Sequence, residues 1–191
     1  MSGIINATNL EVANIKDSTG TNTAITVDSS GRVTTPTRPA FKVRRRQNAG
    51  SQTQLTGSDI FKTGQTNGQI ITDYNIGSHF SNGRFTCPVA GIYQFTAIGL
   101  IGDANGGLAG GNYTFLAFFT KNGETSSDAI DDVQMYHYHN SGHAGEYPYF
   151  NYTDTFQLSA NDVIGFRIQT GGFYINNSDY FAAKFMGHLI G

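Results

Sequence analysis

The sequence predicts an all-β sandwich or jelly roll, and three observations support this fold class. Aromatic residues make up 13% of the 191 residues, and Gly alone contributes 24. Short runs that alternate apolar and polar residues recur along the chain, as expected of half-buried strands. Turn-forming residues separate these runs, and segments with helical periodicity and caps are missing. Many short strands joined by tight turns are typical of a sandwich or jelly roll.

Strands are expected throughout the aromatic-rich part of the chain, at 40–46, 69–73, 83–87, 92–101, 112–121, 130–138, 149–158, 163–169 and 180–190. Asn and Gly accept the positive φ that tight turns require. On this basis turns are predicted at Asn67-Gly68, Asn82-Gly83, Asn105-Gly106-Gly107, Asn122-Gly123 and Gly171-Gly172.

Residues 1–35 differ from the rest because they contain no aromatic residue. Two similar turns punctuate them, at 17–20 and 28–31, each with Asp first and Gly last. The segment has too few apolar residues for a core of its own. It is either a flexible leader or a β-arm that pairs with another chain. Residues 36–39 then form a Pro-containing linker, and 40–191 form the globular head.

Composition excludes several function classes. The net charge of -2 argues against a nucleic-acid binder. A single cysteine, Cys87, permits no disulfide framework and is expected to act as a small buried hydrophobe. Neither a signal peptide nor an apolar run of about 20 residues is visible, so no membrane insertion is expected. Catalytic motifs such as G-x-S-x-G or H-E-x-x-H are also missing, so no enzymatic activity is expected.

The most specific stretch is 75–95, which reads NIGSHFSNGRFTCPVAGIYQF. Its pattern F-x5-G-x-Y-x-F, preceded by Asn75 and an aromatic residue, resembles the signature of the complement component 1q globular domain, a relative of tumour necrosis factor. The segments 38–45, 156–163 and 185–189 resemble other strands of that domain in the same order. The resemblance covers about residues 38–191.

This resemblance implies a ten-strand jelly-roll sandwich that assembles as a homotrimer and that binds rather than catalyses. The residues that carry the core and trimer scaffold would be Phe41, Phe80, Phe85, Gly91, Tyr93, Phe95, Phe115 and Phe185. Gly91 is expected at a turn between strands, where positive φ costs glycine nothing. The sequence lacks the Gly-X-Y repeat of the collagen stalk that accompanies such domains in animals.

The N-terminal segment IINATNLEVANIKDSTGTNTAITVDSSGRVTTPTRPAF resembles the leaders of virion proteins in marine tailed phages, notably those infecting cyanobacteria. It implies a bacteriophage structural protein that is made in the host cytoplasm and released by lysis. Its partners would be other copies of itself, other virion proteins through residues 1–35, and a glycan or protein of the host surface.

An oligomer interface is also indicated by strands that are apolar on both faces. Phe115, Ala117 and Phe119 alternate with Leu116 and Phe118. A strand of this kind is either central and covered by its own chain or covered by another subunit. The segment 181–186 repeats the pattern.

One cluster could bind a metal. His137 and His139 share one face of a strand, and three copies around an axis could offer six imidazoles to one ion. The alternative is a polar, aromatic-rich loop without a cofactor. Calcium ligands could come from four carboxylates that lack regular spacing and are otherwise solvated: Asp128, Asp131, Asp132 and Glu146.

Two further groups suggest binding. Lys42 and Arg44–Arg46 could form a phosphate patch or, alternatively, a solvated strand edge with ion pairs between subunits. Rigid amphipathic aromatics suit receptor contact, although ordinary packing would also explain them. The candidate receptor-binding residues within 134–152 are Tyr136, Tyr138, Asn140, Tyr147 and Tyr149.

Three functions compete on these grounds. The first is a trimeric spike, short fibre or knob that attaches the particle to its host. The second is a capsid decoration, or cement, protein whose arm grips the shell. A secreted lectin or cytokine-like ligand is the third, and the missing signal peptide counts against it.

Overall fold

The computed structural model describes residues 13–16, 19–20, 23–35, 37–47, 53–57, 60–64, 68–102, 111–130, 134–140, 147–175 and 182–191. Within these ranges the side chains of 23, 53, 111–112 and 134–140 are not described. The chain divides into two compact units, residues 1–38 and residues 39–191.

The first unit contains a three-stranded antiparallel sheet with strands Asn14–Lys16 (β1), Thr23–Val27 (β2) and Val33–Thr34 (β3). The predicted turn at 28–31 joins β2 to β3 and is confirmed. The Gly31 N–H donates to the Asp28 carbonyl at 2.9 Å, and Gly31 has a φ of 76°. The Asp28 carboxylate also accepts the backbone N–H of Arg32 at 3.0 Å, which fixes the turn.

The described part of the second unit consists of strands and one 3₁₀ turn, Ser126–Asp128. Its strands are Ala40–Arg46 (β4), Thr53–Gly57 (β5), Gln69–Ile76 (β6), Phe80–Ser81 (β7), Arg84–Thr86 (β8), Gly91–Ile101 (β9), Gly111–Lys121 (β10), Gln134–Asn140 (β11), Tyr149–Leu158 (β12), Val163–Ile175 (β13) and Ala183–Leu189 (β14). Within the described ranges no helix is long and apolar enough to cross a bilayer.

These strands form a two-layer sandwich. Layer 1 has the order β6-β4-β14-β9-β12, and layer 2 has the order β8-β13-β10-β11, with β5 also pairing with β13. The layers join where β13 pairs with β9 at Phe173–Ile101 and Tyr174–Leu100. The predicted all-β sandwich is therefore confirmed.

The core lies between the layers and is dominated by phenylalanine. Phe95 and Phe185 of layer 1 and Phe119 of layer 2 are all completely buried. The ring of Phe119 lies 6.1 Å from the rings of both Phe95 and Phe185, measured between centroids. Aromatic contacts at this spacing add to the free energy gained by burying the rings.

The Asn that precedes the aromatic signature has a structural role. The Asn75 side chain accepts the Phe80 N–H at 3.0 Å and donates to the Phe80 carbonyl at 2.8 Å. Because both backbone groups of Phe80 are thereby satisfied, the loop after β6 closes and Phe80 is directed into the core, 4.6 Å from the ring of Phe41.

The number of strands differs from expectation. The described part of the second unit has eleven strands, whereas the resemblance implied ten. The turn predicted at Asn82-Gly83 is confirmed, since these residues have φ of 48° and 82° and join β7 to β8 in a hairpin. β5 escaped prediction because Leu55 is the single apolar residue in its polar sequence.

The turn predicted at Gly171-Gly172 is wrong, since both residues lie inside β13. The pairing register of β13 with β5 shifts between Ile168 and Phe173, and Gly171 has a φ of 74°. The two glycines therefore make a bulge within one continuous strand instead of ending it.

Candidate functional site

The centre of the outer face of layer 2, around Phe118 of β10, is covered by its own chain. Phe118 points away from the core cluster yet is completely buried, and its cross-strand partner is Arg167. The Arg167 guanidinium donates to the Glu124 carbonyl at 2.6 Å, and Arg84 donates to the carbonyl of Gly123. The turn after β10 is thus held in place by two arginines.

This arrangement corrects one prediction. The two-sided apolar pattern of β10 does not require another subunit, because β10 is a central strand between β11 and β13 and Phe118 is buried within one chain. The apolar pattern of β10 is therefore not by itself evidence of a self-association surface.

The outer face of layer 1 is not covered in this way. We call it the layer 1 face and define it as the outward side chains of β4, β6, β9, β12 and β14 together with Ile190. Of the six exposed large apolar residues that the structure describes in 39–191, five lie on this face: Tyr74 (44% exposed), Ile76 (39%), Ile92 (46%), Tyr149 (59%) and Ile190 (42%).

Register explains how these residues share one face. Directly paired residues of antiparallel strands point to the same side. Tyr74 pairs with Lys42 and Lys42 with Met186, so all three project outward. In the same way, Tyr149 pairs with Leu100. The alternate residues of these strands, such as Phe41 and Phe95, fill the core.

Between β9 and β12 the face is polar but uncharged. The Thr96 and Thr153 hydroxyls of neighbouring strands share a hydrogen bond of 2.8 Å. Half-buried Ile98 lies two residues after Thr96 in β9 and therefore points to the same side. Mutually satisfied hydroxyls beside aliphatic groups can be covered by another surface at low desolvation cost.

Basic side chains dominate the charge of the layer 1 face. The Asp73 carboxylate lies 2.8 Å from Arg44 Nη2 and 3.3 Å from Lys42 Nζ. Burial alone would raise the pKa of Asp73, but hydrogen bonds and positive charge from Arg44 and Lys42 outweigh it and lower the pKa. Lys42 and Arg44, two members of the predicted phosphate patch, therefore form ion pairs with Asp73 within one chain. Lys184 adds a further cation to the face.

Arg45 points the other way, as strand alternation predicts, and is 3% exposed. Its guanidinium donates to the Ile60 carbonyl at 2.5 Å. Arg45 therefore contributes to the interior and not to a phosphate patch.

The predicted scaffold residues belong to the core of a single chain and not to an interface. Phe41, Phe85, Tyr93, Phe95, Phe115 and Phe185 are 0% exposed, and Phe80 is 8% exposed. Gly91 was predicted to need positive φ, which is wrong. A Cβ at Gly91 would lie 2.6 Å from Leu189 Cδ1 and 2.8 Å from the Gly191 carbonyl oxygen, so close packing excludes a side chain there.

The candidate receptor residues are distributed over both layers. Tyr149 is exposed on layer 1, whereas the ring of Tyr147 lies 4.8 Å from that of the buried Tyr174. β11, an edge strand of layer 2, contains the other three: Tyr136, Tyr138 and Asn140. Their side chains lie outside the described residues, and the receptor site stays a prediction.

The metal hypotheses also stay open. His137 and His139 pair in register with Thr114 and Asn112 of β10, and their side chains lie outside the described part. Asp131, Asp132 and Glu146 lie outside it as well. The Asp128 carboxylate accepts the Thr125 N–H at 2.8 Å and the Thr125 hydroxyl at 2.6 Å, so it caps the 3₁₀ turn. Those hydrogen bonds lower the pKa of Asp128.

Sequence reasoning missed the exposed part of the layer 1 face. The signal available in the sequence was the alternation of side chains along β9, where Ile92 and Ile98 lie on the side opposite to the core residues Tyr93, Phe95 and Ala97. An apolar residue on the outward parity of a strand is a sign that the outer surface has a partner.

Comparisons with known proteins were made against sequences and structures. The chain matches no protein-family model and no curated protein sequence. Among solved structures it is similar to the globular domain of zebrafish complement 1qA, with 16% identity and a TM-score of 0.47 over 81% of this chain and 98% of that one. It is also similar to murine APRIL, with 11% identity and a TM-score of 0.46 over 78% and 99% of the two chains.

Proposed function

We propose that this chain is a non-enzymatic binding protein that assembles as a homotrimeric knob through the layer 1 face. The observation that carries the proposal is the concentration of exposed apolar side chains there. Several exposed apolar side chains on one face are typical of protein contact sites. Because Ile76, Ile92 and Ile190 are each about half exposed, covering one of them contributes roughly half of the about 1.5–3 kcal/mol gained by complete burial.

The trimeric state is supported by the F-x5-G-x-Y-x-F signature, which resembles domains that assemble in threes. In a closed ring, three copies turn the same patch toward a common axis. That arrangement would cover Ile92 and Ile190, which lie side by side because the Ile190 N–H donates to the Ile92 carbonyl at 2.7 Å.

The setting that we propose is a bacteriophage particle. The support is the resemblance of the N-terminal segment, residues 4–41, to virion leaders that precede a globular head. We propose that the knob binds a glycan or protein of the host surface through the candidate residues of β11 on layer 2, Tyr136, Tyr138 and Asn140, which lie away from the layer 1 face.

The oligomer is tested with a matched pair of variants. Ile92 and Val89 are 46% and 47% exposed, but Val89 lies outside the layer 1 face. We expect the wild-type chain to sediment as a trimer at micromolar concentration, Ile92→Glu to sediment as a folded monomer, and Val89→Glu to remain trimeric. A monomeric wild type, or equal loss in both variants, would contradict the proposed interface.

The biological role is tested on particles and host cells. Purified knob should compete with phage adsorption, and Tyr138→Ala in β11 of layer 2 should compete less well without loss of the trimer. Labelling of the protein on the particle should place it on the tail. Label on the capsid shell, with no competition for adsorption, would favour the decoration function and overturn host binding.

A further inference from the structure

The sheet of the first unit has one apolar and one polar face. Ile15 pairs with Ile25, and Val27 pairs with Val33. Because Ile25 and Val27 alternate along β2, all four side chains project to the same side. We call this side the arm apolar face.

The opposite side of the same sheet is polar. Thr26 pairs with Asn14 on β1 and with Thr34 on β3. The Thr26 hydroxyl donates to the Asn14 side-chain oxygen at 2.9 Å. The three-stranded sheet therefore has one apolar face and one polar face.

No residue of the arm apolar face is buried within the single chain. Val33 is 67% exposed, Ile15 46% and Val27 38%. Within the described part of 13–38 no residue falls below the intermediate range of exposure. Strands this short need a covered apolar face to be stable, so the sheet calls for an occupant.

We propose that this occupant is the same sheet from two other copies of the chain, so that three arms pack their apolar faces around one axis. This inference rests on the trimer proposed above. Each copy supplies four aliphatic side chains, Ile15, Ile25, Val27 and Val33, and three copies would enclose a small core of β-branched residues.

Proximity favours other copies over a foreign partner. Only residues 35–39 separate the end of β3 from the start of β4, and five residues reach at most about 18 Å. A trimeric head would therefore hold three arms near one another at a high effective concentration, an advantage that an untethered partner lacks.

Charge also favours a symmetric occupant. The apolar face has no charged member, and the described polar partners Asn14, Thr26 and Thr34 are neutral. Asp28 and Arg32 at the adjacent turn pair with each other, since Arg32 Nε lies 2.6 Å from the Asp28 carboxylate, and Lys16 at the end of β1 is a further nearby charge. A flat aliphatic face without charge is complementary to another copy of itself.

Disulfide trapping in the full-length chain tests the proposal. Val33→Cys places a thiol on the arm apolar face, and Thr34→Cys places one on the opposite side of the same strand as a matched control. The native Cys87 will not interfere because it is completely buried. Burial, and then the negative charge of Asp162, raise the pKa of Cys87 to about 12, so its thiolate is scarce at pH 8.

On mild oxidation we expect Val33→Cys to form covalent dimers at least about fivefold faster than Thr34→Cys, because a disulfide requires Cα atoms within about 7 Å. Equal or absent cross-linking in a chain that still sediments as a trimer would overturn the arm proposal and leave the head trimer intact. A wild-type monomer would overturn the head trimer instead.

A second measurement covers the case in which oxidation is slow. Val33→Asp should raise the dissociation constant of the trimer at least about tenfold, because it buries a charge in the proposed core, whereas Thr34→Asp should leave it unchanged. An equal effect of both variants would contradict the proposed packing of the arms. Protection of residue 33 from solvent only when other virion proteins are present would show that the arm has a different occupant.

Discussion

At Gly187 the closing strand β14 has no room for a side chain. A Cβ there would lie 2.4 Å from Phe95 Cδ1 and 2.8 Å from Phe41 Cε1. Both rings are completely buried among other aromatic side chains, so neither can move aside without disturbing its neighbours. The Gly in the closing F-x-G-x-L segment is therefore required by packing rather than by backbone conformation.

We expect Gly187→Ala to lower the free energy of unfolding by about 1–3 kcal/mol, as overpacking of a core does. Urea denaturation followed by circular dichroism would measure the change. Gly191→Ala is the control, because a Cβ there meets nothing within 4 Å, and it should change stability by less than about 0.5 kcal/mol. Equal stability of Gly187→Ala and the wild type would contradict the packing argument.

The Asp162 side chain, just before β13, contacts residues at the ends of β10 and β12. Its carboxylate accepts the Ser159 N–H at 2.8 Å and the Asn122 amide at 2.9 Å, and it lies 2.9 Å from Lys121 Nζ. Burial alone would raise its pKa, but these three partners outweigh that effect and lower the pKa from its ordinary value of 3.8.

A lowered pKa determines the sign of the pH dependence. The ionised Asp162 stabilises the fold above about pH 4, and this contribution is lost as the pH falls through the lower folded-state value. We expect Asp162→Asn to cost about 1.5–3 kcal/mol at pH 7, typical of hydrogen bonds to a charged group. The difference from the wild type should shrink in urea titrations below pH 4, and a constant difference would contradict this role.

At the scale of the element, β13 shows how a long strand accommodates a bulge. The Gly172 N–H donates to the Tyr113 hydroxyl at 3.1 Å, and that hydroxyl donates to the Gly102 carbonyl at 3.2 Å. Gln54 donates to the same hydroxyl at 3.1 Å. Groups that the bulge removes from the strand ladder are thus satisfied by one tyrosine.

Tyr113→Phe should therefore destabilise the bulge by about 1–2 kcal/mol, because the Gly172 N–H loses its acceptor. Amide hydrogen exchange at 171–175 should accelerate in the variant. Tyr74→Phe serves as a control, since Tyr74 is 44% exposed on the layer 1 face. Unchanged exchange in Tyr113→Phe would show that the hydroxyl does not hold the bulge.

For the whole molecule, charge and apolar surface on the layer 1 face act in opposite directions. The chain has a net charge of -2, yet this face carries Lys42, Arg44, Arg46 and Lys184 against the single described carboxylate of Asp73. Bringing three such faces together places like charges near one axis. Apolar burial must outweigh that repulsion if the trimer forms.

We therefore expect salt to strengthen the trimer. Raising NaCl from about 20 to about 300 mM shortens the screening length to below about 10 Å and should lower the dissociation constant measured by sedimentation. Lys184→Gln should tighten the trimer at low salt and flatten its salt dependence. A trimer that weakens as salt is added would mean that the face meets an acidic surface instead.

Much of the fold was predictable because strand signals are local. The alternation of Tyr93 and Phe95 predicted β9, and the Asn82-Gly83 pair predicted a tight turn. The bulge at Gly171 was not predictable, because a glycine pair that ends a strand and one that kinks it look the same in sequence. Which of the two occurs depends on partners such as Tyr113 that are distant in the chain.

The sequence by itself determined the fold class, most strands and the aromatic core, since these follow from periodicity and turn chemistry between near neighbours. Only the tertiary structure decided which outer face is left uncovered. Phe118 and Ile92 are both apolar and both point outward, but arginines and a turn cover the face of Phe118, whereas Ile92 stays exposed. Coverage depends on strand register and on contacts between distant segments, which local patterns do not encode.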